Sequence, residues 1–298
     1  MLKNILRYVI MGALCCAMVI FVYPIISNKE KKMDQIAPVI SFDKDVISTS
    51  VEEMNSVLLQ GVTALDETDG DLSEYVLVDK IDRIQGKEFS VSYIVFDKSN
   101  NCGRSSRKLI CTNYESPQFT IKQPLYLKTG ISNNLSDYLG ASDIIDGDLS
   151  SAIRLELTDN ETVRDGIYEG QASVTNSVGD TVVIPIHLEF DNEHIDEPQI
   201  ILKQYIKYMK VGERFYPEDY IDYVLDEGKK GIDFGDKESI EANEQEPLEW
   251  IDITDISCKT NLDSDTPGNY TAIYTYTSKE TQRKGQAEIL IIVEKTDE

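Results

Sequence analysis

The chain is expected to be all-β: three β-sandwiches in tandem behind one N-terminal apolar helix. Three observations predict this. The motif D-G-D-L-S occurs twice, at 69–73 and 146–150, each with an aspartate three positions ahead of it, Asp66 and Asp143. Three Pro-led apolar segments, at Pro38, Pro117 and Pro198, stand 79 and 81 residues apart. Three long stretches, one late in each repeat, alternate apolar with polar residues, the period of a half-buried strand.

Each repeat opens with its proline: Pro38-Val-Ile-Ser-Phe, Pro117-Gln-Phe-Thr-Ile and Pro198-Gln-Ile-Ile-Leu. Proline cannot donate to a ladder and suits the first residue of an edge strand. The alternating segments follow at Gly86–Asp97, Gly166–Thr175 and Gly268–Thr277, rich in Val, Thr and Tyr. Each meets a polar turn, at 98–101, 177–180 and 279–282. A return strand then completes a closing hairpin: Arg104–Thr112, Thr181–Phe190 and Gly285–Glu294. Short strands with frequent turns over 75–100 residues read as a small sandwich. No amphipathic helix is expected after residue 35, though Val51–Leu59 and Pro217–Leu225 could each hold a helical turn. The resulting division is a tail, apolar segment and tether over 1–35, then sandwiches at 36–114, 115–193 and 194–298, the last with an insertion at about 226–249.

With 29 Lys and Arg against 53 Asp and Glu, the formal net charge is -24, which argues against nucleic acid and against lying flat on anionic lipid. Residues 8–27 are uncharged and long enough to span a bilayer, with Lys3 and Arg7 ahead of them and Lys29, Lys31 and Lys32 behind. A single-pass signal-anchor is the leading expectation, with the ectodomain outside the cell; a cleaved signal peptide or a lipid anchor on Cys15 or Cys16 are the alternatives. Cys102 and Cys111 are expected at opposite ends of one strand, about 30 Å apart, beyond disulfide reach. No structural disulfide is expected.

The first repeat resembles the bacterial immunoglobulin-like domains of cell-surface proteins end to end, through Pro38, G-V-T-A-L-D-E-T-D-G-D-L-S (61–73) and the segment Gly86–Asn100. The second keeps Asp143, Asp146–Ser150 and the Gly-x-Tyr strand, with Asn176-Ser-Val-Gly in place of Asp-Lys-Ser-Asn. The third keeps Gly212, the Tyr-rich strand and Pro267-Gly268, but lacks D-G-D-L-S, with Asp226-Glu-Gly-Lys-Lys-Gly-Ile-Asp233 in its place. The resemblance implies extracellular modules in series, used as stalks, spacers and adhesive surfaces, and it implies no activity.

Two sets of candidate site residues follow. Asp66, Asp69 and Asp71, with Asp143, Asp146 and Asp148 in the second repeat, could converge on calcium, a hard cation that takes carboxylate and carbonyl oxygens. The competing reading is turn chemistry: Asp accepts from nearby backbone N–H groups, and Gly70 and Gly147 supply positive φ. No other cofactor is called for. Tyr216, Tyr220, Tyr223 and Trp250 are the candidate ligand contacts, since such rings give contact area at low entropic cost. The chain has only two histidines, His187 and His194, neither within a catalytic motif, and no enzyme is expected. The expected function is a membrane-anchored stalk or display module for adhesion, its partner a cell-envelope protein or glycan. The alternative is a glycan- or peptide-binding ectodomain that recruits substrate for a separate surface enzyme.

Overall fold

The computed structural model describes residues 11, 12, 17, 18, 20, 34–127, 135–158, 166–190, 197–226, 229–231 and 251–295. Most of the expected membrane segment 8–27, His194, Trp250 and most of the 226–249 insertion lie outside these residues. No helix among the described residues is long and apolar enough to cross a membrane. The described chain is built mainly of strands, with helical turns at Met54–Val57 and Pro217–Tyr220 inside the two expected segments, and further single turns at Ser73–Tyr75, Leu135–Asp137, Ser150–Ala152 and Ile253–Asp255 that the sequence did not suggest. It forms two compact units, Met1–Thr112 and Asn113–Glu298.

In the first unit seven strands make two sheets: β1 (Val39–Phe42), β2 (Val46–Thr49), β3 (Val62–Asp66), β4 (Gly70–Asp71), β5 (Leu77–Gln85), β6 (Glu88–Phe96) and β7 (Cys102–Cys111). The sheet orders are β1-β3-β4 and β2-β7-β6-β5. Strand β6 shows why they face each other. Phe89, Val91, Tyr93 and Val95 alternate inward and are all fully buried, while the residues between them are not. Ile40, Ala64 and Leu109 are buried from the other strands. The opening segment is split between the sheets: β1 pairs antiparallel with β3, whereas β2 pairs parallel with β7. Cys102 and Cys111 close the two ends of β7, and no disulfide joins them.

The second unit repeats this plan twice. Strands β8 (Gln118–Ile121), β9 (Tyr126–Leu127), β10 (Leu139–Asp143), β11 (Gly147–Asp148), β12 (Arg154–Leu157), β13 (Gly166–Thr175) and β14 (Thr181–Phe190) form sheets β11-β10-β8 and β12-β13-β14-β9. Strands β15 (Gln199–Leu202), β16 (Ile206–Lys210), β17 (Ile221–Asp226), β18 (Lys229–Gly231), β19 (Ser257–Thr260), β20 (Gly268–Thr277) and β21 (Lys284–Glu294) form β15-β17-β18 and β16-β21-β20-β19. The third repeat, which lacks the motif, therefore keeps the strand order of the first.

The same glycine contact recurs within the first repeat and within the third. A Cβ on Gly103 would collide with the Pro38 carbonyl, and one on Gly285 would collide with the Pro198 carbonyl. In both repeats the return strand passes directly under the opening proline, so only glycine fits.

The sequence places a boundary near residue 193, yet Asn113–Glu298 is one unit because its two repeats share a hydrophobic cluster. Phe119, Leu139 and Ile184 of the second repeat belong to it together with Ile200, Tyr274 and Ile291 of the third. The Phe119 N–H donates to the Tyr208 hydroxyl at 2.7 Å across this seam.

Candidate functional site

The D-G-D-L-S corner is built identically in the first two repeats. Asp66 Oδ1 accepts from the Thr68 and Asp69 N–H groups at 2.9 and 2.8 Å, and Asp143 Oδ1 accepts from those of Ile145 and Asp146 at 3.0 and 2.6 Å. Gly70 and Gly147 sit at φ +77° and +71°, where a side chain would be strained. Asp71 Oδ1 accepts from the Ser73 N–H, and Asp148 Oδ1 from the Ser150 N–H, each at 2.9 Å. The Ser73 and Ser150 hydroxyls then accept from the Ala64 and Ala141 N–H groups.

The middle aspartate reaches the closing hairpin. Asp69 Oδ2 accepts from the Lys98 N–H at 2.9 Å, and Asp146 Oδ2 from the Ser177 N–H at 2.6 Å. The Lys98 amide, and then its ammonium, holds the Asp69 carboxyl below the usual carboxylate range. The Ser73 hydroxyl does the same for Asp71, and the Ser150 hydroxyl for Asp148. Asp69, Asp71, Asp146 and Asp148 are thus spent on backbone amides and hydroxyls, and the structure does not gather them around a common point.

Asp66 is different. Its Oδ2 is buried with no hydrogen-bond partner among the described residues, and the whole residue is only 8% exposed. It belongs to a cluster that the motif alone does not reveal. One carboxylate oxygen each from Asp34, Asp66 and Asp97 lie within 4.8 Å of one another. Asp34 precedes β1, Asp66 ends β3, and Asp97 follows β6. Asp97 Oδ1 accepts from the Ser99 and Asn101 N–H groups at 2.8 and 2.7 Å, which fixes the hairpin turn. Its Oδ2 accepts from Asn101 Nδ2, which also donates to the Asp34 carbonyl.

The second repeat has an amide at the same place. Asp97 follows the last β6–β7 pair, Phe96↔Cys102, just as Asn176 follows the last β13–β14 pair, Thr175↔Thr181. Asn176 Oδ1 takes the turn amides of Val178 and Asp180, at 3.2 and 2.8 Å. Asn176 Nδ2 donates to Asp143 Oδ2 at 2.7 Å and to the Tyr114 hydroxyl at 2.9 Å. In the third repeat Asp226 ends β17 as Asp66 ends β3, and its Oδ2 accepts from the Tyr276 hydroxyl at 3.1 Å. Both later repeats give this aspartate a proton donor, and the first gives it two further carboxylates. The departure of Asn176 from Asp97 was readable in the sequence; its consequence was not, because Asp34 lies outside the motif.

The described aromatic candidates differ in exposure. Tyr216 is 48% exposed, whereas Tyr220 and Tyr223 are partly buried against the hydrophobic cluster. Tyr220 stacks on Phe215, with ring centroids 4.9 Å apart. A groove in the second unit is lined instead by Tyr126, Ile167, His187, Ile273 and Glu288. His187 Nδ1 lies 2.9 Å from Glu288 Oε1 across it.

No family model matches the chain. It is 27% identical over 157 residues to the pesticidal crystal protein Cry22Aa of Bacillus thuringiensis, across 47% of this chain and 22% of that protein. The chain thus spans about a fifth of the curated relative it matches. Similar solved structures include the M60 catalytic domain with CBM51-1 and CBM51-2 from Clostridium perfringens ZmpB, at 14% identity and TM-score 0.21, covering 87% of this chain and 31% of that one. Another is Drosophila N-cadherin EC1-3, at 12% identity and TM-score 0.26, covering 84% and 97%. Likeness at these scores says nothing of ligand or partner.

Proposed function

We propose that the chain is a non-enzymatic surface module, anchored in the cell membrane through residues 8–27, that displays its sandwiches outside the cell for adhesion or cell-envelope interaction. The observation that carries this reading is the shared cluster of the second unit. Burying Phe119, Leu139, Ile200 and Ile291 in one core fixes two repeats against each other, as a spacer or display element requires. The acid-rich corners support the same reading, since Asp69, Asp71, Asp146 and Asp148 hold turns together. Protease added to intact cells should remove epitopes within 34–298 while leaving the membrane segment behind. Full protection of those epitopes would overturn the proposal.

A second reading rests on the groove. Ile167 is 73% and Ile273 39% exposed, beside the polar pair His187 and Glu288. An apolar wall with a few polar groups is the usual make-up of a ligand site. On this reading the module recruits a glycan or peptide for a separate surface enzyme, at this groove rather than at Tyr216, Tyr220 and Tyr223. Array binding by full-length protein that is lost in Ile167→Asp would favour it.

A further inference from the structure

We propose that the first repeat holds a divalent cation, calcium by its chemistry, between Asp34, Asp66 and Asp97. The three carboxylates come from three separate segments, yet an oxygen of each lies within 4.8 Å of the others. Opposite ligands of a calcium ion with 2.3–2.6 Å bonds stand up to about 5 Å apart, so the cluster has the right size. None of the three is engaged in an ion pair among the described residues, and the nearby Lys98 ammonium turns to Asp69 at 3.0 Å.

The decisive observation is Asp66 Oδ2, buried without a partner among the described residues. A buried carboxylate oxygen left unpaired is costly. The second repeat removes that cost from inside: the Asn176 amide supplies Asp143 Oδ2 with a proton at 2.7 Å. In the first repeat Asp97 stands where Asn176 stands in the second, and a carboxylate has no proton to give Asp66 Oδ2. Like charges so placed repel unless something positive bridges them. A hard cation satisfies all three carboxylates, and it ties the segment entering β1 to the β6–β7 hairpin.

The test uses the full-length chain in detergent, with calcium, magnesium or a chelator. Calcium at about 5 mM exceeds the 10⁻⁴–10⁻³ M dissociation constants typical of extracellular modules. It should raise the first unit's melting temperature by about 5 °C relative to chelator, and magnesium should do less. Calcium should also slow amide hydrogen exchange in segments 34–38 and 97–101, and leave 176–180 unchanged. The variant Asp97→Asn, which copies the second repeat, should fold in chelator at least as stably as the parent and lose the calcium response. Coincident melts and exchange with calcium and chelator would overturn the site. So would a calcium response that persists undiminished in Asp97→Asn and in Asp34→Asn/Asp97→Asn.

Discussion

Arg107 Nε donates to the Tyr93 hydroxyl at 2.9 Å, and that hydroxyl donates onward to the Leu58 carbonyl at 2.7 Å. The Arg107 side chain is fully buried, and its Nη2 also reaches the Leu58 and Gln60 carbonyls, both at 3.0 Å. Its guanidinium lies over the Phe42 and Tyr93 rings at 5.3 and 5.4 Å. A buried arginine therefore pins the loop before β3 to the face of β6 and β7. Tyr93→Phe should cost the first unit about 1–2 kcal/mol by stranding Arg107 Nε. Arg107→Met should cost more, about 2–4 kcal/mol, since it abandons several buried acceptors at once. Urea unfolding of each variant measures both.

Gly285 is predicted to tolerate no side chain. Its Cβ would collide with backbone at Pro198, which cannot swing aside as a flexible side chain can. Gly285→Ala should destabilise the second unit by about 2 kcal/mol or more, and Gly103→Ala should do the same to the first. Val182 holds the matching register position in the second repeat, opposite Val174 as Gly103 is opposite Val95. Val182→Ala should therefore cost less than either glycine substitution. Thermal melts of the three variants decide the ranking.

The His187–Glu288 pair makes the second unit mildly pH-dependent. The Glu288 hydrogen bond, with its charge, raises the His187 pKa above its ordinary 6.5, outweighing the effect of burial. A raised folded-state pKa means stability that is fully present below the unfolded value and lost as pH rises through the folded one. The second unit should thus lose a little stability as pH climbs from about 6.5 upward. Both side chains are more than a third exposed, 43% and 34% by turn, so solvent screening holds the effect to about a few tenths of a kcal/mol. In His187→Gln that slope should vanish in melts taken between pH 6 and 9.

Thiol chemistry should divide the cysteines. Cys111 is fully buried, whereas Cys102 and Cys258 are partly accessible, and burial pushes the Cys258 thiol up. Under native conditions an alkylating reagent should label Cys102 and Cys258 well before Cys111. Reductant should leave the melting temperature unchanged. Mass spectrometry after timed labelling reads the order.

The sandwiches were legible because period-two burial is written directly into segments such as Glu88–Phe96, and because turn chemistry is local. Asp66, Asp69 and Asp71 each act within a few residues or on the adjacent hairpin. The shared core of the second unit was not legible. Phe119 and Tyr208 alternate along their strands in the same way whether they pack within one sandwich or against another. The third repeat read as the weakest member because its motif is interrupted. In the fold the insertion falls after Asp226, and a short turn is rebuilt beyond it by Asp252, whose Oδ1 accepts from the Thr254 N–H at 2.8 Å and its hydroxyl at 2.7 Å. The cation cluster escaped for a related reason: Asp34 stands 32 residues ahead of Asp66, and only the folded hairpin brings them together.

The split opening strand decides how tension would pass through the molecule. In each repeat the inner half of that strand runs parallel to the return strand: β2 beside β7, β9 beside β14, β16 beside β21. A pull on the two ends of a repeat then slides these strands past each other, so their hydrogen bonds are loaded in shear and must fail together instead of unzipping singly. Four residue pairs share that load in the first repeat and five in the third, but among the described residues only two do in the second. Among the described residues the second repeat therefore has the shortest shear clamp of the three.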